Sequence, residues 1–188
     1  MPAHFGDSAE LPATLEHSLR LDFHPDQLPL RWSHCSATAD FLANYYQGLL
    51  KAQLPPSGLA DLRHSISYLA NELLENTVKF GAPGDVYVET GLAGADFILR
   101  LGNWIDSNAS TAFQRLLAEL TAGDPGELLL QRIEANAADE SSSASGLGIL
   151  TLMSDYQVRF SWSFTPEEDG RVFLRTAARL PLPSRPVT

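Results

Sequence analysis

The feature that most constrains the fold is an alternation of apolar and polar residues near the carboxyl end, at 156–164. Every second residue there is large and apolar, and the residues between them are mostly polar. This period of two is typical of a β-strand with one buried face. A turn-forming segment at 165–170 leads from it into an apolar-rich segment at 171–180. We therefore predict two strands that pair as a hairpin.

Other segments add strands and helices to this hairpin. Strands are predicted at 19–23, 28–32, 85–90 and 97–101, and helices at 36–53, 59–80, 111–120 and 126–137. This order of elements predicts an α/β fold, a two-layer α/β sandwich whose mixed, largely antiparallel sheet has helices on one face. We expect a single domain at 13–180 between tails at 1–12 and 181–188, which lack periodicity.

Composition limits what such a domain binds. The chain has 188 residues, of which 44% are hydrophobic, and its 23 acidic and 13 basic residues give a formal charge of -10. This charge repels a nucleic-acid backbone, so we expect no nucleic-acid partner. We also expect a cytoplasmic protein without membrane contact, because the sequence has no apolar span of membrane length and no signal-peptide pattern. The only cysteine, Cys35, rules out an internal disulfide and is interpreted as a packing residue.

The predicted helix at 59–80 carries polar residues beside its apolar stripe. At about 100° per residue, Ser65, Glu72, Asn76 and Lys79 fall within one narrow sector. Glu72 and Asn76 are four residues apart and therefore lie on adjacent turns of one face. The sector is either the wall of a cleft or a solvated face. As a cleft wall it offers oxygen atoms of the kind that Mg²⁺ prefers.

A second motif follows the polar segment at 139–145. Residues 145–150 read Ser-Gly-Leu-Gly-Ile-Leu. Gly146 and Gly148 permit a tight turn into a helix and let backbone amides approach a phosphate. The alternative is a tight turn without a ligand.

The two motifs, in this order, resemble the GHKL ATPase superfamily, and the closest pattern is that of its bacterial anti-sigma and switch serine kinases. Glu72-x-x-x-Asn76 resembles the N-box of that family, and 145–150 resembles its second glycine box. The resemblance covers about 59–180, most of the chain. It implies the Bergerat-type version of the two-layer sandwich and the binding of ATP and Mg²⁺.

The resemblance also implies a role for each matching residue. Asn76 would ligate Mg²⁺, and Glu72 would be the general base, although either residue is also common on an exposed helix. Lys79 would neutralise phosphate charge, while a solvated pair with Glu75 one turn away is the simpler interpretation. The residues of the second glycine box that would hold phosphate are Ser145, Gly146, Leu147 and Gly148.

The sequence departs from the family at the first glycine box. The family places an Asp there, which accepts a hydrogen bond from the adenine amino group. In this chain Asn103 falls at that position, and its neutral oxygen is a weaker acceptor than a carboxylate. Asp106, three residues later, is an alternative acceptor. Trp104 is interpreted as a core residue and not as part of the site.

Three functions are compatible with these observations. The first is a protein serine kinase that transfers the γ-phosphate of ATP to a small regulatory partner, such as an anti-anti-sigma-like phosphoacceptor or a sigma factor. The second is a catalytically inactive relative that regulates a partner by binding or sequestration, which the altered first glycine box favours. The third is an acidic interaction domain without a nucleotide. We favour the two nucleotide-binding hypotheses because several motifs occur in the family's order, and the resemblance also allows a homodimer.

Overall fold

The computed structural model describes residues 3–7, 12–24, 30–138 and 146–183. Its strands are β1 (Ala3–Gly6), β2 (Glu16–Phe23), β3 (Val86–Ala93), β4 (Asp96–Asp106), β5 (Arg159–Pro166) and β6 (Arg171–Pro181). Its helices are α1 (Trp32–Leu49), α2 (Pro56–Phe80), α3 (Ser107–Leu120), α4 (Pro125–Ala138) and α5 (Leu147–Ser154). Among these helices, none is long and apolar enough to cross a membrane.

The strands form one open sheet in the order β1-β5-β6-β4-β3-β2. Every neighbouring pair is antiparallel. The predicted hairpin is confirmed, because β5 pairs with β6 in a register that sets Trp162 opposite Thr176 and Phe164 opposite Leu174. The described chain between β4 and β6 contains α3, α4, α5 and β5, so two neighbouring strands at the centre of the sheet are far apart in sequence.

The two faces of the sheet carry different residues. The inner face bears buried side chains such as Val88, Leu101 and Phe160, which belong to the same hydrophobic core as residues of α1, α2, α3 and α5. The outer face bears the residues between them, among them Tyr87 and Arg100. The arrangement confirms the predicted two-layer α/β sandwich, but the described strands are antiparallel throughout and the sheet is not mixed as predicted.

An antiparallel pair of helices, α1 and α2, forms one side of the helical layer. Cys35 and Tyr46 are buried on α1, and the Tyr46 hydroxyl lies 3.1 Å from Thr90 Oγ1 in the sheet. Pro56 begins α2, a position where the missing backbone N–H costs nothing. The helix then runs without interruption to Phe80, so every residue of the predicted N-box lies on one rigid element.

Three sequence predictions are corrected by the structure. Residues 3–6, predicted as tail, form β1 and pair with β5, because Phe5 packs edge-on against Phe164. The strand predicted at 28–32 is wrong at its described end, since Trp32 begins α1; residues 25–29 lie outside the described ranges. The helix predicted to begin at 36 therefore starts earlier, and the helical spacing of its buried residues outweighs the short alternation before it.

Candidate functional site

A cavity of about 390 Å³ lies between the helices and the inner face of the sheet. Its wall combines residues of α1, α2, β4, α3, β5, β6 and the start of α5. The residues that line it include Trp32, Glu72, Glu75, Asn76, Lys79, Phe80, Leu101, Asn103, Ile105, Phe113, Gly146, Gly148, Leu174 and Thr176. The volume falls in the range of ordinary small-molecule sites.

Most of the predicted site residues meet at this cavity. Those that line it are Glu72, Asn76, Lys79, Asn103, Gly146 and Gly148. Leu147 is the first residue of α5 but does not line the cavity. Ser145 lies outside the described residues. Three segments that are far apart in the sequence therefore contribute to one cavity.

Glu72 lies at the contact between α2 and α5. A Cβ atom on residue 148 would lie 2.0 Å from Oε2 of Glu72, so the carboxylate fills the space beside Gly148. Burial, followed by the nearby charge of Glu75, raises the pKa of Glu72. Among the described residues, Glu72 forms neither a hydrogen bond nor an ion pair through its carboxylate. A partly buried, unpaired carboxylate with a raised pKa is typical of a functional site.

Asn76 lies one turn after Glu72 and is half-buried. Its carboxamide makes no hydrogen bond within the described part of the chain. Two other polar side chains of α2 do form hydrogen bonds: Asn71 Nδ2 donates to Glu75 Oε1 at 2.8 Å, and Thr77 Oγ1 donates to the Leu73 carbonyl at 2.9 Å. The side-chain oxygen of Asn71 is buried without a partner among the described residues. The carboxamide of Asn76 is therefore available to a ligand.

Lys79 is exposed at the rim of the cavity. Its ammonium nitrogen lies 5.0 Å from the centre of the Phe80 ring, a cation–π distance. Among the described residues it forms no ion pair with Glu75, so the simpler interpretation from the sequence, a pair between these two side chains, is wrong. The charge of Lys79 remains open to an anion in the cavity.

Asn103 is placed on the opposite wall, on β4. It is only 3% exposed, and its Nδ2 donates to the Trp104 carbonyl at 3.3 Å. This bond leaves the side-chain oxygen as an acceptor. Asp106 does not replace it, because its Oδ1 accepts the Ala109 backbone N–H at 2.7 Å as the cap of α3.

Trp104 points to the outer face, next to Asn103 in sequence but on the other side of the sheet. There its ring packs against Phe173, 4.8 Å between centroids, and under the Arg171 guanidinium, 4.4 Å away. The placement agrees with its exclusion from the site, although it packs outside the main core.

The start of α5 provides backbone donors. Gly146 precedes the helix with φ of 89°, a left-handed conformation that favours glycine. The first bond of the helix joins the Leu150 N–H to the Gly146 carbonyl at 3.0 Å. The amides between these two residues are the unpaired donors of a helix amino terminus, where negative charge is stabilised.

Sequence reasoning missed part of the cavity wall. Thr176 is buried at 6% exposure on β6 and faces the cavity from the inner side of the sheet. The signal was present: Thr176 is the only polar residue at the inward positions of β6, between Leu174 and Ala178. Trp32 and Phe113 also line the cavity, but nothing in their local sequence distinguishes them from core residues.

In comparisons with protein-family models and with curated proteins, no match to this chain was found. The fold and the cavity define the class: a two-layer α/β sandwich with a polar site between its layers. The more specific family resemblance stays a prediction.

Proposed function

We propose that this protein binds ATP with Mg²⁺ in the cavity and transfers the γ-phosphate to a serine of a small regulatory partner in the cytoplasm. The observation that carries the proposal is the convergence of Glu72, Asn76, Asn103 and the Gly146–Gly148 turn on one cavity. The four positions come from elements spread over the chain, and each matches a different motif of the GHKL pattern.

The phosphate end of the site would lie between α2 and the start of α5. The unpaired amides after Gly146 suit phosphate oxygens, and Lys79 adds one positive charge. Glu72 and Glu75 line the same region, so a triphosphate needs further positive charge there.

Mg²⁺ fits this donor set. Asn76 supplies a hard, unpaired carboxamide oxygen, and the phosphates would supply further ligands. Among the described residues, no group of three His, Cys, Asp or Glu side chains is arranged to hold an ion alone, which agrees with an ion shared with a substrate. When bound, the ion would neutralise and orient the phosphates.

The end of the cavity that would hold the adenine base lies against the sheet. Asn103 offers a hydrogen-bond acceptor in a largely apolar surrounding, with Leu101 and Ile105 beside it on β4 and Leu174 opposite it on β6. Thr176 adds a hydroxyl nearby on β6. A few polar groups on an apolar wall are the usual composition of a pocket for a flat ring.

Glu72 supplies the chemistry. Its carboxylate would accept the proton of the partner's serine hydroxyl, or that of a water molecule when ATP is hydrolysed without the partner, while the attacking oxygen bonds to the γ-phosphorus. The bond between the γ-phosphorus and the bridging oxygen breaks, and ADP leaves. Burial helps this role because it raises the pKa of Glu72 and makes the carboxylate a better proton acceptor.

Calorimetric titration of ATP into the protein, with and without Mg²⁺, tests binding. We expect binding that requires Mg²⁺ and that Asn76→Ala weakens about 10- to 100-fold, a loss of the size measured when a metal site loses a supporting group. Asn44→Ala is the matched control, because Asn44 is exposed on α1 and bonds Arg63. Absence of heat from the native protein with ATP and Mg²⁺ would refute the proposal.

Labelled ATP then separates the two nucleotide hypotheses. Incubation with candidate partner proteins should transfer label to a serine if the protein is a kinase. Binding of ATP and of a partner without transfer would instead favour regulation by sequestration, the alternative that Asn103 in place of an acidic residue supports.

A further inference from the structure

Three side chains on successive turns of α2 contact either α5 or Tyr156, which lies two residues after the end of α5. His64, Tyr68 and Glu72 are spaced at four-residue intervals, so they share one face of the helix. Their partners are Tyr156, which contacts both His64 and Tyr68, and Gly148, which contacts Glu72. We name this contact the α2–α5 seam.

The outer end of the seam is aromatic. The Tyr156 hydroxyl lies 3.0 Å from His64 Nε2, and the Tyr156 ring stacks on Tyr68 with centroids 5.3 Å apart and planes 23° apart. Stacking of this kind stabilises beyond the buried area alone. Tyr156 follows α5 by two residues, so these contacts fix the carboxyl end of that helix.

The middle of the seam is Tyr68, one turn before Glu72 on α2. Burial, followed by the charge of Glu72, raises the pKa of its phenol. Tyr68 does not itself line the cavity among the described residues, so any influence on the site passes through helix position.

The inner end of the seam is the contact between Glu72 and Gly148. The glycine is needed there because a Cβ atom would lie 2.0 Å from Oε2 of Glu72. Gly146, by comparison, is needed for its left-handed backbone. The two glycines of this motif are therefore needed for different reasons. Gly146 permits the left-handed turn, and Gly148 leaves the space that the Glu72 carboxylate occupies.

We propose that Tyr68 is a positioning residue, which fixes α5 against α2 and so sets the Glu72 carboxylate beside the glycine turn. This inference rests on the proposed function, in which that carboxylate and that turn act on the same phosphate. A displacement of about 1 Å between reacting groups costs up to about 100-fold in rate. Tyr68 therefore affects turnover more than nucleotide affinity.

Two variants test the proposal. Tyr68→Leu and Tyr156→Leu each remove one ring of the stacked pair and leave an apolar side chain in its place. We expect each to lower kcat for ATP hydrolysis about 10- to 100-fold with a smaller change in KM. The double variant should resemble Tyr156→Leu, because the stacked pair is already lost in that variant.

A spectroscopic measurement tests the geometry without relying on activity. In protein labelled with ¹³C at glutamate, the carboxylate signal of Glu72, assigned by its loss in Glu72→Gln, should move toward that of a hydrated glutamate in both variants. Gly148→Ala should move it as well, because the added methyl group takes the space of the carboxylate. Tyr45→Phe, on the exposed side of α1, is the control and should leave it unchanged.

The outcomes separate the two proposals. An unchanged Glu72 signal in Tyr68→Leu and Tyr156→Leu would overturn the positioning role, whatever the activity. A native protein that neither binds nor hydrolyses ATP, but whose Glu72 signal moves in both variants, would refute the proposed function and leave the positioning of Glu72 intact.

Discussion

Polar groups on the two sides of the sheet differ in whether they are paired with other residues of the chain. On the outer face, charges are paired within the chain: Arg20 with Asp22 at 2.8 Å and Arg100 with Glu89 at 3.1 Å. In the cavity on the inner side, Glu72 and Asn76 are partly buried and have no hydrogen-bond or ion-pair partner among the described residues. Pairing within the chain accounts for the outer charges, whereas the polar groups of the cavity are available to water or to a ligand.

Substitution of one carboxylate on each side gives the largest contrast. Glu72→Gln keeps the shape of the side chain but removes the general base, which contributes about 100- to 10,000-fold to a rate. We expect ATP hydrolysis to fall by that factor while calorimetry still detects binding. Glu89→Gln, on the outer face, should leave the rate unchanged. Equal rates in the two variants would remove Glu72 from the mechanism.

A charge placed at position 103 tests whether the end of the cavity that would hold adenine is apolar. Asn103→Asp buries a carboxylate without a cation among its described neighbours, which costs about 1–3 kcal/mol at neutral pH. Urea unfolding should show this loss, and the loss should shrink in acid as the new carboxyl protonates. Asn108→Asp, exposed in the first turn of α3, should lose no stability. Equal stability of Asn103→Asp and the native protein would contradict the apolar environment.

Two glycines with the same backbone strain differ in what surrounds them. Gly146 has φ of 89° at the cavity, and Gly170 has φ of 82° in the β5–β6 turn. Alanine at either position should cost about 1–2 kcal/mol in the free energy of unfolding. Only Gly146→Ala should also weaken ATP binding in calorimetry. Loss of binding in both variants would mean that the effect comes from instability and not from the site.

The smallest expected effect is a difference in how stability varies with pH. Burial raises the pKa of Glu72, so the folded state holds that proton more tightly than the unfolded state. Its contribution is complete below its ordinary value of 4.5 and is lost as pH rises through the raised value. Glu72→Gln does not ionise, and its stability relative to the native protein should therefore rise with pH across that window.

Asp22 on the outer face gives the opposite sign. Its hydrogen bond to Arg20 lowers the pKa of Asp22, so its contribution is present above its ordinary value of 3.8 and is lost as pH falls through the lowered value. Asp22→Asn should be less stable than the native protein at neutral pH and should approach it in acid. Urea unfolding across pH measures both variants, and slopes of the same sign would contradict the comparison.

The sequence was sufficient where a pattern is local. The alternation before Phe164 predicted β5, and the helical spacing of Leu62, Ile66 and Leu69 predicted α2, because each reflects one buried face of one element. The N-box and the glycine motif likewise identified residues that the structure brings to one cavity. Local patterns do not contain strand order, however, so the position of β4 beside β6 was not predictable from them.

The parts that the sequence did not predict depend on contacts between distant segments. β1 is four residues long, and only its pairing with β5 makes it a strand. Thr176 belongs to the site because β6 lies beside β4, opposite Leu101. The space beside Gly148 is occupied by Glu72 from another helix, and a sequence motif that fits phosphate binding gives no sign of that contact.

The single thiol of the chain sits where it can report the opening of the helical layer. Cys35 is 1% exposed, its Sγ donates to the Arg31 carbonyl at 3.5 Å, and burial, followed by the charge of Glu75, raises its pKa. An alkylating reagent therefore modifies it only in molecules whose α1 has moved away from the core. The rate of the mass increase therefore measures how often α1 opens. A ligand that binds the neighbouring cavity only in the closed form would lower this rate, and tighter binding would lower it further.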